Sequence, residues 1–259
     1  MRSSVWFDAL DEALRPLVAN TSYSGLPEGS VFGAAYSPLR LNAVDGLAFQ
    51  GTIASTGDGG ELSYISGVYI RDAGELRPFL LVGSPAPPEF PGTSIGFVSP
   101  SDGLFFTDSG WCAAKVTHTG PPEGRYNGPA VYVGRAGNPV PVVSAGMEAP
   151  ETSGGVFGWN LRLHGASDAG DVLFQNTIAL SEGGAPDSCW RWSDGRLEQL
   201  AVEGEATTAF SDGLLRDLQG MAISPEGRVV LHARSFAEHA LFLQEAPGQA
   251  TQRFLGSGD

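Results

Sequence analysis

The chain has 259 residues, 42% of them hydrophobic, enough for one large or two small domains with a sizeable buried core. Its 15 basic and 29 acidic side chains leave a net charge of −14, which repels phosphate backbones and anionic lipid and argues against nucleic acid and the membrane surface as partners. The 36 glycines and 18 prolines follow no Gly-X-Y period, which excludes collagen, and two cysteines with no C-x-x-C pair support neither a disulfide framework nor a zinc or thioredoxin-type site.

The N-terminal Met1-Arg-Ser-Ser-Val-Trp-Phe-Asp8 lacks a continuous apolar core, and no run of about 18 apolar residues follows. A cytoplasmic protein is expected if Met1 is the natural start, and a secreted or cell-surface one otherwise. From Val5 to Val18 two readings compete. Phe7, Leu10, Leu14 and Leu17 fall at helical spacing behind Ser4. Val5-Trp-Phe7 and Leu14-Arg-Pro-Leu-Val18 instead fit a hairpin, and Pro16 would disrupt a helix, so the hairpin is preferred.

A Gly-, Ser- and Pro-rich stretch from Asn20 to Ser37 leads into Val31-Phe-Gly-Ala-Ala-Tyr36. Asn42-Ala-Val-Asp-Gly-Leu-Ala-Phe49 then reads as a turn and a strand, with Asp45-Gly46 as the turn. Its apparent copies are Ser101-Asp-Gly-Leu-Phe-Phe106, Asp168-Ala-Gly-Asp-Val-Leu-Phe174 and Pro225-Glu-Gly-Arg-Val-Val-Leu231. Val68-Tyr-Ile-Arg-Asp-Ala-Gly-Glu-Leu-Arg-Pro-Phe-Leu-Leu-Val82 reads as a hairpin turning at Asp72-Ala-Gly74. Echoes start at Val131 and Trp190, with fainter ones at Val5 and Leu241. These starts define approximate repeats 5–67, 68–130, 131–189 and 190–240, with a partial repeat 241–259.

Each repeat offers four short strands, typified by Val68-Tyr-Ile70, Leu80-Leu-Val82, Ile95-Gly-Phe-Val98 and Gly103-Leu-Phe-Phe106. Four repeats and a spare hairpin make about 18 strands, so the expectation is an all-β chain forming a single β-propeller of about four to five four-stranded antiparallel blades. Ala54 to Ile65 and Thr117 to Pro129 are expected as the variable loops, projecting from one face.

Asn42 to Phe49, the Gly67-Val-Tyr69 strand and Val82-Gly-Ser-Pro-Ala-Pro87 resemble the bacterial tandem-repeat proteins described by an N-x-x-G-x-x-A-F motif. The likeness spans nearly the whole chain and is weakest at Glu203-Gly-Glu-Ala206. Asn42 stands one residue farther from Gly46 than that motif has it, and the other three copies lack the asparagine there. The resemblance implies a propeller-like fold and, in a group often exported and surface-anchored, no catalytic residues.

Signals for chemistry are sparse. Gly92-Thr-Ser-Ile-Gly96 satisfies G-x-S-x-G without the helix a nucleophile elbow needs. Asp58-Gly-Gly-Glu61 lacks the ligand spacing of a calcium loop. His118, His164, His232 and His239 form no His-x-x-x-His pair, so no metal or cofactor is expected. The polar column after the turn-following strands is more informative. It holds Gln50, Thr107, Asp108, Gln175, Asn176, His232 and Arg234, which would ring a central channel if that strand were innermost. Trp111, Trp159, Trp190 and Trp192 are the tryptophans able to stack on a sugar or apolar ring, Trp190 fitting the core better. A non-catalytic binding or interaction module is the first reading, for a small molecule or a protein partner. The second is an enzyme with His232 as acid/base, Asp108 orienting it and Arg234 holding an anion. The third is a self-assembling homo-oligomer subunit.

Overall fold

A computed structural model describes residues 5–8, 14–18, 25–28, 30–56, 61–72, 75–98, 103–121, 124–207, 209–211, 213–236 and 238–256. It is all-β, with no helix among the described residues. β1 (Val5–Asp8) and β2 (Leu14–Val18) pair antiparallel, as the hairpin reading expected. Four antiparallel meanders follow. The first joins β3 (Val31–Leu41), β4 (Leu47–Thr56), β5 (Leu62–Asp72) and β6 (Glu75–Leu81). The second holds β7 (Ser94–Val98), β8 (Leu104–Phe106), β9 (Cys112–Thr119), β10 (Gly128–Arg135) and β11 (Asn138–Ser144). The third holds β12 (Val156–Phe157), β13 (Arg162–Ala166), β14 (Val172–Ala179), β15 (Asp187–Ser193) and β16 (Arg196–Val202). The fourth joins β17 (Asp217–Ile223), β18 (Val229–Arg234), β19 (His239–Gln244) and β20 (Gln252–Gly256).

The hairpins repeat in detail. Each pair of outer strands carries one register shift at the same place: Val5/Trp6, Val68/Tyr69, Val131/Tyr132, Cys189/Trp190 and Leu241/Phe242. Such a bulge sharpens the local twist and re-aims the next side chain. In the four meanders that side chain is an aromatic ring buried to 9% exposure or less. A buried ring with a polar tip needs a partner, and each has one. Tyr69 Oη donates to the Ile65 carbonyl, Trp190 Nε1 donates to Ser188 Oγ, and Tyr132 Oη meets His118 Nε2 at 2.6 Å. Trp190 is therefore core, and Trp192 is nearly so.

A five-residue turn joins the first and second strand of every meander: 42–46, 107–111, 167–171 and 224–228. In each, the first residue's N–H donates to the fifth residue's carbonyl, from Asn42 to Gly46, Thr107 to Trp111, Ser167 to Asp171 and Ser224 to Arg228. The first residue's side-chain oxygen accepts the fifth residue's N–H in all four. The fourth residue has positive φ and is Asp45, Gly110, Gly170 or Gly227. Glycine takes that conformation without strain, and aspartate is among the few others that tolerate it.

This register corrects the sequence reading of the second repeat. Leu104–Phe106 lies before the turn, not after it, and the strand that follows is β9 with Cys112, Ala113 and Ala114 fully buried. Three small side chains carry little apolar signal, so Leu104-Phe-Phe106 draws the alignment. β7 and β8 both pair with β9 and are halves of one interrupted edge position, as β12 and β13 are on β14. The predicted loops are also shorter, since strands run to Thr56 and Thr119 and restart at Leu62 and Gly128. Asp58 lies outside the described residues, as does Gly74 at the predicted hairpin turn.

Each sheet takes its first two strands from the end of one sequence repeat and its last two from the start of the next. A recurring connection then carries the chain onward. Gly83, Gly146 and Gly204, all at positive φ, donate their N–H to the carbonyls of Ile95, Phe157 and Leu215.

Successive sheets pack face to face. Ala48, Val68 and Ile70 of the first meet Leu104, Cys112 and Val116 of the second. Val131 and Val143 meet Phe157, Phe174 and Trp190. Leu173 and Cys189 meet Leu218, Leu231 and Phe242. First strands lie against first strands, β3 on β8, β8 on β13 and β13 on β17. The turns lock in series at one end. Ala43 N–H donates to Asp108 Oδ1 at 2.6 Å, Ser109 N–H to Asp168 Oδ1 at 3.1 Å, and Asp168 N–H to the Pro225 carbonyl at 2.8 Å.

Candidate functional site

Because every sheet is an antiparallel meander, its turns and outer hairpins fall at one end. The loops between second and third strands, together with the sheet-to-sheet connections, fall at the other. Of the polar column, Gln50, Gln175, Asn176, His232 and Arg234 lie on second strands and Thr107 and Asp108 in a turn, whereas it is the first strands that touch from sheet to sheet. With the turn register corrected, the equivalent positions are Gln50, Lys115, Gln175 and His232.

The predicted residues separate into different tasks. Thr107 opens its turn and bonds Ser109 through its hydroxyl at 3.1 Å. Asp108 holds the first sheet's turn through Ala43. Asn176 accepts the Gly158 N–H and donates to the Gly158 carbonyl, stitching the second strand to the broken first one. Gln50 Oε1 is buried with no hydrogen-bond partner. Gln175 donates to Asp187 Oδ2 at 3.0 Å. Arg234 pairs with Asp217 at 3.1 Å, and His232 Nε2 lies 3.2 Å from His239 Nδ1. No hydrogen bond or ion pair among the described residues links Asp108 to His232 or Arg234. The G-x-S-x-G serine, Ser94, sits in a strand and bonds Thr119.

Groups do converge at the loop-bearing end, between the third and fourth sheets. Glu203 follows β16 and reaches across. Its Oε2 accepts the Asp187 N–H and its Oε1 the Leu218 N–H, both at 3.4 Å. Burial raises its carboxyl above the ordinary value; these two N–H donors pull it back, and the neighbouring Asp187 and Asp217 carboxylates push it up again. Beside it lies a cavity of ≈ 460 Å³. Glu151, Glu182, Glu203 and Glu205 supply its carboxylates, and Ile178, Leu180, Pro186 and Val202 its apolar walls. Burial lowers the pKa of His164, which bonds Gln175 and keeps a buried Nε2 without a partner. A second cavity of ≈ 610 Å³ between the first two sheets is lined mainly by proline and apolar residues, with Arg77 as its charge.

Aromatic side chains are exposed at this end too. Phe97 and Trp159 occupy equivalent positions, two residues after the carbonyl that each connection glycine bonds, and are 59% and 70% exposed. Trp159 rests on Gly128, where a Cβ would stand 3.3 Å from the indole. Trp111 instead packs between Arg135 and Gly170.

The four carboxylates and the partnership of His239 with His232 carry no signal in the sequence taken along the chain. Setting the three connections side by side, Val82-Gly83, Ala145-Gly146 and Glu203-Gly204, exposes the acid unique to the third. Cys112 and Cys189 are free, and burial pushes both thiols up, away from reactivity.

Fold and site together define an all-β protein of repeated four-stranded meanders with an acidic cavity at its loop-bearing end. The chain belongs to the family described as "Family of unknown function (DUF7453)", which it matches over residues 1–245. No curated protein matches it. A solved structure titled "Hadza microbial sialidase Hz136" is similar over 85% of this chain and 46% of its own, with a TM-score of 0.36 and 14% identity. The chain thus spans less than half the length of that structure.

Proposed function

We propose that the protein is a non-catalytic binding module, a five-bladed β-propeller that takes a cationic ligand at its loop-bearing end. The five hairpins with one shared bulge position support the blade count, four sheets having four strand positions each and β1–β2 standing as the outer half of a fifth. The contacts between first strands suit an arrangement of blades around an axis. Thr107-x-x-Gly110, Ser167-x-x-Gly170 and Ser224-x-x-Gly227 share the turn spacing of the N-x-x-G repeat proteins, with hydroxyls in place of asparagine.

The observation that carries the ligand class is the cavity beside Glu203. Carboxylates over an apolar floor favour an amine or guanidine on a hydrophobic body, a small molecule or a basic peptide segment. The net charge of −14 draws such a ligand in and opposes nucleic acid and anionic lipid. Glu203 is preorganised by two backbone donors. Binding is preferred to catalysis because Asp108, the expected orienter of His232, is committed to the first sheet's turn instead.

Titration calorimetry with an alkylamine, a polyamine and a lysine-rich peptide tests this. At neutral pH at least one should bind saturably, and Glu203→Gln together with Glu182→Gln should abolish it. Affinity should fall on acidification at a higher pH than an ordinary glutamate would give, because the Glu203 carboxyl is raised. Absence of saturable binding across the panel, or binding indifferent to both substitutions, rejects the reading.

A further inference from the structure

We propose that His232 and His239 form a two-imidazole site for a zinc-like divalent transition-metal ion on the fourth sheet. β18 and β19 pair with His232 opposite Leu241 and Arg234 opposite His239. The two histidines are therefore diagonal neighbours on one face of the sheet. Their rings stand 5.4 Å apart at 30°, and His232 Nε2 is 3.2 Å from His239 Nδ1. One ion bound to both nitrogens at zinc–imidazole bond lengths, with angles between square and tetrahedral, sets them about 2.9–3.4 Å apart. The observed separation lies inside that span, so an ion needs almost no rearrangement of the sheet.

On the β17 side, no described side chain crowds His232. The cross-strand neighbour of His232 on β17 is Gly220, and a Cβ there would meet only the His232 Cβ, at 4.0 Å. Arg234, the cross-strand partner of His239, is balanced by Asp217, which also accepts from Gln219 Nε2. Among the described residues no group of three histidine, cysteine, aspartate or glutamate side chains gathers, so water or an external ligand completes the sphere. Imidazole nitrogen suits zinc, copper and nickel and disfavours magnesium and calcium. On binding, the imidazole that donates in the present N–H···N contact shifts its proton to its other ring nitrogen, and both facing nitrogens become donors to the ion.

Calorimetric titration of the full chain with zinc chloride, with thermal midpoints measured in parallel, tests the site. Wild type should take up one ion per chain and melt higher with zinc. His239→Ala and His232→Gln should each bind at least about tenfold more weakly, because even outer-shell losses at metal sites cost that much. His164→Gln should bind as wild type does. The site is ruled out if wild type shows no saturable uptake, or if His239→Ala, whose exposed position leaves the fold intact, binds zinc as tightly as wild type.

Discussion

Single side chains carry the buried polar chemistry of this fold, and His118 is the clearest case. Its Nε2 meets Tyr132 Oη and its Nδ1 lies 3.1 Å from Ser144 Oγ, with the Phe90 ring centred 5.0 Å away. Burial drops its pKa from the ordinary 6.5 to about 4, so the ring is neutral in the native state. The unfolded chain takes up a proton at higher pH than the folded one does. The stability this neutral ring contributes is complete above pH 6.5 and is lost as pH falls toward 4. The shift corresponds to about 3 kcal/mol. The thermal midpoint of wild type should fall more steeply between those limits than that of His118→Gln, which cannot titrate there. Parallel curves would place the acid sensitivity elsewhere. A second ionic centre behaves differently: Arg191, 1% exposed, bonds Asp171 at 2.6 Å and Gln244 at 3.1 Å, tying the third sheet to the fourth. Gly227 sits on this pair, where a Cβ would come within 2.9 Å of both charged groups. Glycine is required there by space as well as by its φ of 86°.

At the scale of the element, the repeated turn both builds each sheet and joins it to the next. Asp168 shows how. Its carboxylate accepts the Ser109 N–H and hydroxyl, its carbonyl accepts the same hydroxyl, and its own N–H donates to Pro225. Asp168→Ala should leave the Ser109 N–H without its acceptor and cost about 1–3 kcal/mol. Chemical denaturation would read this as a lower midpoint at unchanged slope; an unmoved midpoint would show that the turns do not couple the sheets. The hairpins are legible in sequence because Val-aromatic-Ile runs around short turns announce themselves wherever the aromatic is large. The turn register is legible only where a phenylalanine or leucine follows, after Asp45-Gly46, Gly170 and Gly227. In the second sheet the buried run is Cys112-Ala-Ala114, so Asp102-Gly103 reads as the turn that Ser109-Gly110 in fact belongs to. That one slip puts Thr107 and Asp108 in a polar column where Lys115 stands. The acidic cavity is illegible for another reason: its carboxylates come from three segments that the connections bring together, and no spacing along the chain encodes that.

For the whole molecule, the decisive quantity is how many faces of each sheet are covered. The second and third sheets lie between neighbours and bury both faces. Val172, Leu173 and Phe174 are consecutive in β14 and fully buried, as are Val131 and Val133 with Tyr132 between them in β10. Among the described residues, the fourth sheet packs one face, against the third. β18 alternates buried with partly or fully exposed positions, Val230 and Arg234 pointing outward, and β20 is exposed along most of its length. Opening a central sheet therefore breaks two apolar interfaces, while opening β20 breaks little beyond its own ladder with β19. Local opening free energies rise with the apolar surface that the opening exposes to water. Native-state amide exchange should accordingly be slowest in β9, β10, β14 and β15, close to the global unfolding limit, and faster in β17 and β20. A cation bound at the Glu203 cavity should slow exchange in β16 and the connection after it, leaving β9 and β10 unchanged. Uniform protection through all four sheets would mean that the stack opens as a single cooperative unit, and the interfaces between sheets would then have to be as strong as the ladders within them.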